Sequence, residues 1–305
     1  MDRAGESGGA AAFVRSRRGA LLALARPYQW IKNGLLFAAL VFSDRLFEPR
    51  DVGRAIVGFV AFCAVSSTGY IINDIHDREA DRMHPEKRMR PLAAGELVAG
   101  EAGALAVVLA LIGLMLSLGL GVTFALIAAL YVATQFAYSH YAKQIVIVDV
   151  IVVACGFVLR AYAGGVAIDV PVSPWLVFIT FVLALFLALA RRRHELVVLG
   201  EGAVGHRGPL GEYSVPLIDQ MISIVTAATL VGYMIYTASP DVARRLHTEH
   251  LFLTVPFVAF GLLRYLYLIS ECDEGGDPAR LVLRDRPLLI SILGWIVADV
   301  ILLYF

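Results

Sequence analysis

The densest chemistry in this chain lies in one short stretch, residues 73–91, which reads NDIHDREADRMHPEKRMRP. At about 100° per residue, Asn73, Asp74, Asp77 and Asp81 share one side of a helix. Three carboxylates and an amide on one stripe repel each other unless a cation neutralises them. Hard oxygen donors of this kind suit Mg²⁺, which takes one or two carboxylates and fills its shell with phosphate oxygens. Arg78, Arg82, Lys87, Arg88 and Arg90 follow at once. Acid beside base is what a Mg²⁺–diphosphate complex needs: carboxylates hold the metal, and guanidinium forks hold phosphate oxygens. Asp77, Asp74 and Asp81 are the expected catalytic carboxylates. A solvated loop of ordinary salt pairs would not need the i, i+4, i+8 spacing from Asn73.

The elements that must position this stretch are apolar. Of 305 residues, 59% are hydrophobic and 17% charged, and the mean hydropathy is +0.73. A typical soluble domain carries about 25% charged residues. Disorder is excluded by the hydrophobicity, and a porin-like barrel by near-continuous rather than alternating apolar runs. The expected fold is an all-α, polytopic membrane helical bundle. Nine runs approach the roughly 20 residues needed to cross a bilayer: 28–42, 52–72, 97–118, 122–138, 145–164, 173–190, 215–238, 250–270 and 287–305. The first is short, and Tyr28 and Trp30 suit a headgroup belt.

Residues 1–26 are small, Gly-rich and basic, and are expected to form a disordered cytoplasmic tail without a cleaved leader. Residues 27–305 are expected to form one transmembrane domain. With the N-terminus in the cytoplasm, most Lys and Arg fall on the inner side, including Arg15, Arg17, Arg18, Arg26, Lys143, the 191–193 cluster, Arg207, Arg280, Arg284 and Arg286. Arg45, Arg50, Arg54, Arg244 and Arg245 fall outside. This bias predicts a multi-pass protein of the plasma (inner) membrane, with the acid–base stretch facing the cytoplasm. Net charge is zero, so composition implies no nucleic-acid partner. Cys63, Cys155 and Cys272 form no metal-binding or disulfide pattern.

Residues 73–81 fit NDxxDxxxD, and the chain thereby resembles the UbiA superfamily of intramembrane transferases. Residues 81–95 and the nine-helix layout resemble it too. The resemblance implies a bundle with a central cavity, a polar cytoplasmic mouth, a lateral opening to lipid, and Mg²⁺ held by Asn73, Asp77 and Asp81. The chain departs from the family where most members carry a second aspartate-rich motif, after the sixth helix. Here that loop begins Arg191-Arg192-Arg193-His194-Glu195, with Glu195 its only nearby carboxylate. Arginines in place of metal ligands should bind more phosphate with less metal. That substitution, with residues 26–33, 138–143, 156–165 and 191–196, resembles one branch of the superfamily. In that branch 5-phosphoribose passes from phosphoribosyl diphosphate to a polyprenyl (decaprenyl) phosphate, toward the arabinose donor for mycobacterial-type cell-wall arabinan. The implied partners are those two substrates and the bilayer, and a homo-oligomer is left open.

The expected reaction is attack of the lipid phosphate on ribose C1, with inversion and release of diphosphate. Lys32, Asn33, Arg88, Arg90 and Arg191 are candidates for the phosphates, and Tyr138 and Lys143 for ribose or phosphate. Lys32 read alone is equally an interfacial lysine. Arg160, deep in the membrane, is expected to pair with Asp299; Asp149 to position Lys143 or bind substrate; Arg264 to pair with Asp219 or line the cavity. His76, His84 and His194 are possible bases that an anionic lipid phosphate does not need. The main rival is a prenyltransferase of the same superfamily acting on an aromatic acceptor with a prenyl diphosphate. A transporter with an Arg160–Asp299 ion path would leave the acid–base stretch without purpose.

Overall fold

The structure is a computed structural model and describes residues 15–83, 87–199, 212–272 and 275–305. Among these residues it is helical throughout, with no strand. The long elements are α3 (Pro49–His76), α5 (Ala99–Leu120), α6 (Val122–His140), α7 (Val148–Ala167), α8 (Pro174–Leu199), α9 (Val215–Ala238), α11 (Val255–Glu271) and α13 (Arg286–Tyr304). Among the described residues, eight helices are long and apolar enough to cross a membrane. Short helices fill the connections: α1 (Arg17–Ala25), α2 (Phe37–Val41), α4 (Arg78–Met83), α10 (Pro240–Leu246) and α12 (Pro278–Arg284). Large apolar side chains such as Leu111, Met115, Leu126, Ile224 and Ile290 stay exposed on the outer faces, as lipid contact requires.

The ninth crossing, expected at 28–42, is built differently. Pro27–Leu36 is a ten-residue 3-10 helix that leads into the five residues of α2. A 3-10 helix rises about 2.0 Å per residue, so these fifteen residues reach about 27 Å. At one end Arg26 pairs with Asp74; at the other the Tyr304 hydroxyl donates to Val41 O at 2.8 Å. The segment therefore runs the thickness of the bundle with fewer residues than an α-helix needs. Its tight winding has a second effect, because side chains three apart eclipse each other. Lys32, Leu35 and Ala38 line a cavity, while Asn33 and Leu36 are buried against the neighbouring helices. Gly164 makes this packing possible: a Cβ there would sit 2.1 Å from Leu36 O.

The expected disordered tail is corrected between Arg17 and Ala25. Ser16 caps α1 by accepting from Gly19 N at 3.2 Å, and Ala20 and Leu24 are fully buried with Ile71, Leu92 and Leu97. The helix ends where Arg26 turns left-handed (φ 53°) ahead of Pro27. Residues 1–14 lie outside the described residues, as do His84, Glu201 and Arg207. Two larger cores sit on either side of the cavity, one around Phe62, Phe124 and Tyr131, the other around Phe186, Ile218 and Tyr265.

Candidate functional site

The acid-rich stretch ends α3. Asp77 is the C-cap, yet the helical bonds continue through it: Asp77 N donates to Asn73 O and Asp81 N to Asp77 O, both at 2.8 Å. The i, i+4, i+8 spacing therefore survives into α4. The side chains divide into two groups. Asn73 and Asp77 face the junction of α6 and α7: Asn73 Nδ2 donates to Asp77 Oδ2 at 3.0 Å, Ser139 Oγ to Asn73 Oδ1 at 3.1 Å, and Lys143 Nζ to Asp77 Oδ1 at 2.6 Å. Asp74 and Asp81, both buried, face the arginines. Arg90 donates to Asp74 at 3.1 Å and to Asp81 at 2.5 Å, and Arg26 also pairs with Asp74. Asp74 is thus committed to two guanidinium groups, which ties α1 and the 87–90 turn to α3.

Among the described residues, no three His, Cys, Asp or Glu side chains gather closely enough to enclose a metal by themselves. Asn73, Asp77 and Asp81 are the oxygen-donor types that a hard divalent cation completed by phosphate oxygens takes, but Asp81 here turns to Arg90 while Asn73 and Asp77 face Ser139 and Lys143. Lys143 and Arg90 stand on those same carboxylates and balance their charge.

The remaining expected basic residues differ in availability. Arg88 is exposed; Arg82 is held by Glu79 at 2.9 and 3.0 Å; Lys87 is half-buried in the turn Lys87–Met89. Arg78 lies 3.9 Å from Glu79, and its buried Nε has no hydrogen-bond partner. Lys32 lies within electrostatic reach of Arg191, Arg160 and Arg26, with Asp277 as countercharge. These basic residues gather at one end of the cavity.

Residues 191–195 are not a loop, because α8 continues to Leu199. Helical phase then gives the three arginines different tasks. Arg192 is buried and donates to Asp149 at 2.6 Å, to the Tyr138 hydroxyl at 3.0 Å, and to Glu195. Arg193 donates to Asp219 at 2.7 Å and to Ile269 O at 2.6 Å. Only Arg191 is substantially exposed, bonded to Glu195 at 3.3 Å. Glu195 is therefore engaged by two arginines.

Four expectations are corrected here. Arg160 does not pair with Asp299; it donates to Asn33 Oδ1 at 2.8 Å, to Gly156 O at 3.1 Å and to the Tyr131 hydroxyl. Asn33 is fully buried and also bonds Ser66 and Cys63, so it anchors the 3-10 segment instead of lying open to a substrate. Asp149 positions Arg192, not Lys143, and accepts from the Tyr213 hydroxyl at 2.9 Å, whose pKa burial pushes up to about 12. Arg264 pairs with Asp285 at 2.8 Å, while Asp219 serves Arg193.

The cavity that the resemblance implies is present, with a lining that the sequence alone did not specify. It measures about 520 Å³, with Lys32 at one end. Its wall is mainly apolar: Leu35, Phe37, Phe157, Ile179, Leu183 and Leu187, from the 3-10 segment, α2, α7 and α8. Its far end is marked by Ser43, Arg245 and Asp299. The 3-10 winding that places Lys32 on this wall has no signature in apolar periodicity.

Comparison with known proteins adds independent findings. The model of the UbiA prenyltransferase family matches residues 34–195. A decaprenyl-phosphate phosphoribosyltransferase of Mycolicibacterium smegmatis is 36% identical over 286 residues, 90% of each chain. A protein of the same name from Corynebacterium glutamicum is 32% identical over 289 residues, 92% of this chain and 85% of the relative. A UbiA homolog from Archaeoglobus fulgidus, solved with GPP and Mg²⁺, superposes with a TM-score of 0.71 at 20% identity, covering 92% of this chain and 99% of that one. The last likeness concerns the fold.

Proposed function

The chain belongs to the UbiA prenyltransferase family, and from that premise we propose that it moves 5-phosphoribose from phosphoribosyl diphosphate onto a polyprenyl phosphate, with decaprenyl phosphate the first acceptor to test. One observation beyond the relatives carries this reading. The cavity has Lys32 at one end, near Arg191, Arg160 and Arg26, and a mainly apolar wall between its two ends. An acceptor with an anionic head and a long hydrocarbon tail has that same polarity. A tail of that length exceeds 520 Å³, so the cavity holds the segment next to the phosphate and the rest lies in lipid.

In this reading the donor's diphosphate sits over Asn73, Asp77 and Asp81. These residues would hold a divalent cation, Mg²⁺ by donor type, which would neutralise charge on the leaving diphosphate. Arg78 and exposed Arg88 face the donor's phosphates. Lys32 and Arg191 hold the acceptor phosphate, so that two anionic substrates are separated by cations. A lipid phosphate oxygen forms the bond to ribose C1 as the bond from C1 to the diphosphate oxygen breaks, giving inversion. The nucleophile is already an anion, so no general base is required. Arg192 fixes Tyr138 and Asp149 around the mouth, and Arg90 and Arg26 hold Asp74 in the wall. The polar end faces the cytoplasm, where a soluble phosphoribosyl donor is available.

The test uses the purified chain in detergent with Mg²⁺, decaprenyl phosphate and ribose-labelled phosphoribosyl diphosphate, with Asp77→Ala in parallel. Label should pass to the organic phase with the wild type and not with the variant. No transfer, together with prenylation of an aromatic acceptor from a prenyl diphosphate, would overturn the phosphoribosyl reading and leave the family assignment in place.

A further inference from the structure

The far end of the cavity holds buried polar atoms that no described residue satisfies. Asp299 is 1% exposed, and both its carboxylate oxygens lack a hydrogen-bond partner. Ser43 Oγ is likewise buried without a partner. Both residues line the same cavity. Burying such groups unpaired costs several kcal/mol, so this end of the cavity is shaped for a donor that comes from outside the chain.

The surroundings specify that donor. Tyr233, Tyr236, Trp295 and Phe42 line the cavity beside Asp299, and aromatic faces attract cations. Tyr233 cannot serve Asp299, because its hydroxyl is shared with Thr254 at 2.6 Å and takes the Trp295 Nε1 proton at 2.8 Å. Arg160 is committed to Asn33, Gly156 and Tyr131. Arg245 also lines the cavity but is exposed and donates to Pro171 O at 3.0 Å. A carboxylate, a hydroxyl acceptor and aromatic rings describe a site for a primary ammonium, whose three N–H groups match two carboxylate oxygens and one hydroxyl. A quaternary ammonium has no N–H and would leave these acceptors unsatisfied.

We propose that the far end of the cavity binds the primary ammonium of a phosphatidylethanolamine headgroup, held by Asp299 and Ser43 among the aromatic rings, with Arg245 on its phosphate. A lipid is the source that fits, because the site lies among membrane-crossing helices and its cation and carboxylate match a zwitterionic head. The site is separate from the acid-rich end, and the proposal stands whether or not the transfer reaction does.

The experiment is native mass spectrometry of the full chain in detergent, titrated in turn with dihexanoyl-phosphatidylethanolamine, -phosphatidylcholine and -phosphatidylglycerol. Ethylammonium serves as the headgroup-only probe. The expected result is one bound phosphatidylethanolamine, at least tenfold tighter than either other lipid and than ethylammonium. Asp299→Asn should remove that preference, and Ser43→Ala should weaken it. Thermal unfolding of both variants reports folding, and the wild-type preference for ethanolamine over choline is informative without any variant. Equal binding of the three lipids, or a preference that survives Asp299→Asn in a folded protein, overturns the site. Ethylammonium binding as tightly as the lipid overturns the lipid source.

Discussion

Asp74 and Asp77 are three residues apart, yet their surroundings assign them opposite tasks. Asp77 shares its charge with one lysine and an amide and remains part of an open donor set. Asp74 is buried between Arg26 and Arg90. Asp77→Asn should therefore lower kcat by about 10²-fold or more with little change in Tm, since one charge-stabilising group is worth that much. Asp74→Asn should chiefly lower Tm, because it takes the carboxylate partner from Arg26 and leaves Arg90 with Asp81 alone. Steady-state kinetics and thermal unfolding on the same preparations separate the two. A large kcat loss for Asp74→Asn at unchanged Tm would contradict this division. Lys32→Met should raise KM for the lipid phosphate about tenfold, the loss of one charge-assisted bond, while kcat changes less. Arg192→Met should destabilise the fold by about 3–5 kcal/mol, because it strands the buried Asp149, as denaturant or thermal unfolding would show.

At the scale of elements, the 3-10 segment is the part on which the site depends. It carries Lys32 on one face and Asn33 on another, and it holds its place because α7 approaches it at Gly164. A Cβ 2.1 Å from a backbone oxygen must displace main chain. Gly164→Ala should therefore lower stability by about 1–3 kcal/mol, in the range of overpacked interiors, and reduce lipid-phosphate affinity along with it. A variant as stable and active as wild type would show that the contact does not position the segment. The cap of α13 responds to acid. The hydrogen bond from Arg264 holds the Asp285 carboxyl below the usual carboxylate range, helped by the Leu288 N–H. A depressed carboxylate contributes stability above the ordinary range and loses it as pH falls through its own pKa. The Tm difference between wild type and Asp285→Asn should accordingly be present near neutrality and close below about pH 4; a difference that persists there would place the stabilisation elsewhere.

At the scale of the whole molecule, the crossings run between a polar end and a far end, with Arg26 at the first and Tyr304 at the second. The proposed orientation puts the acid-rich stretch in the cytoplasm. Cys272 is exposed while Cys63 is buried, and Cys272 follows α11 on the same end as Asp285. A membrane-impermeant maleimide should label Cys272 in inside-out vesicles and not in intact cells. Labelling in intact cells would reverse the orientation.

The membrane class, the order and approximate ends of the long helices, and the helical i, i+4, i+8 spacing from Asn73 were legible from residues alone. Each rests on local spacing: apolar runs long enough to cross a bilayer, and carboxylates one turn apart. The extension of α8 through Arg191–Glu195 was not legible, because a charged run reads as a loop until tertiary contacts with Asp149 and Asp219 neutralise it. The partners of Arg160, Asp149 and Arg264 were also decided by packing: charges far apart in sequence meet only when helices are set against each other, and several geometries satisfy the same composition. The lining of the cavity, whose existence the resemblance alone implied, and the unpartnered Asp299 and Ser43 belong to the same class. They are spaces between elements, and no residue's type or spacing encodes a space.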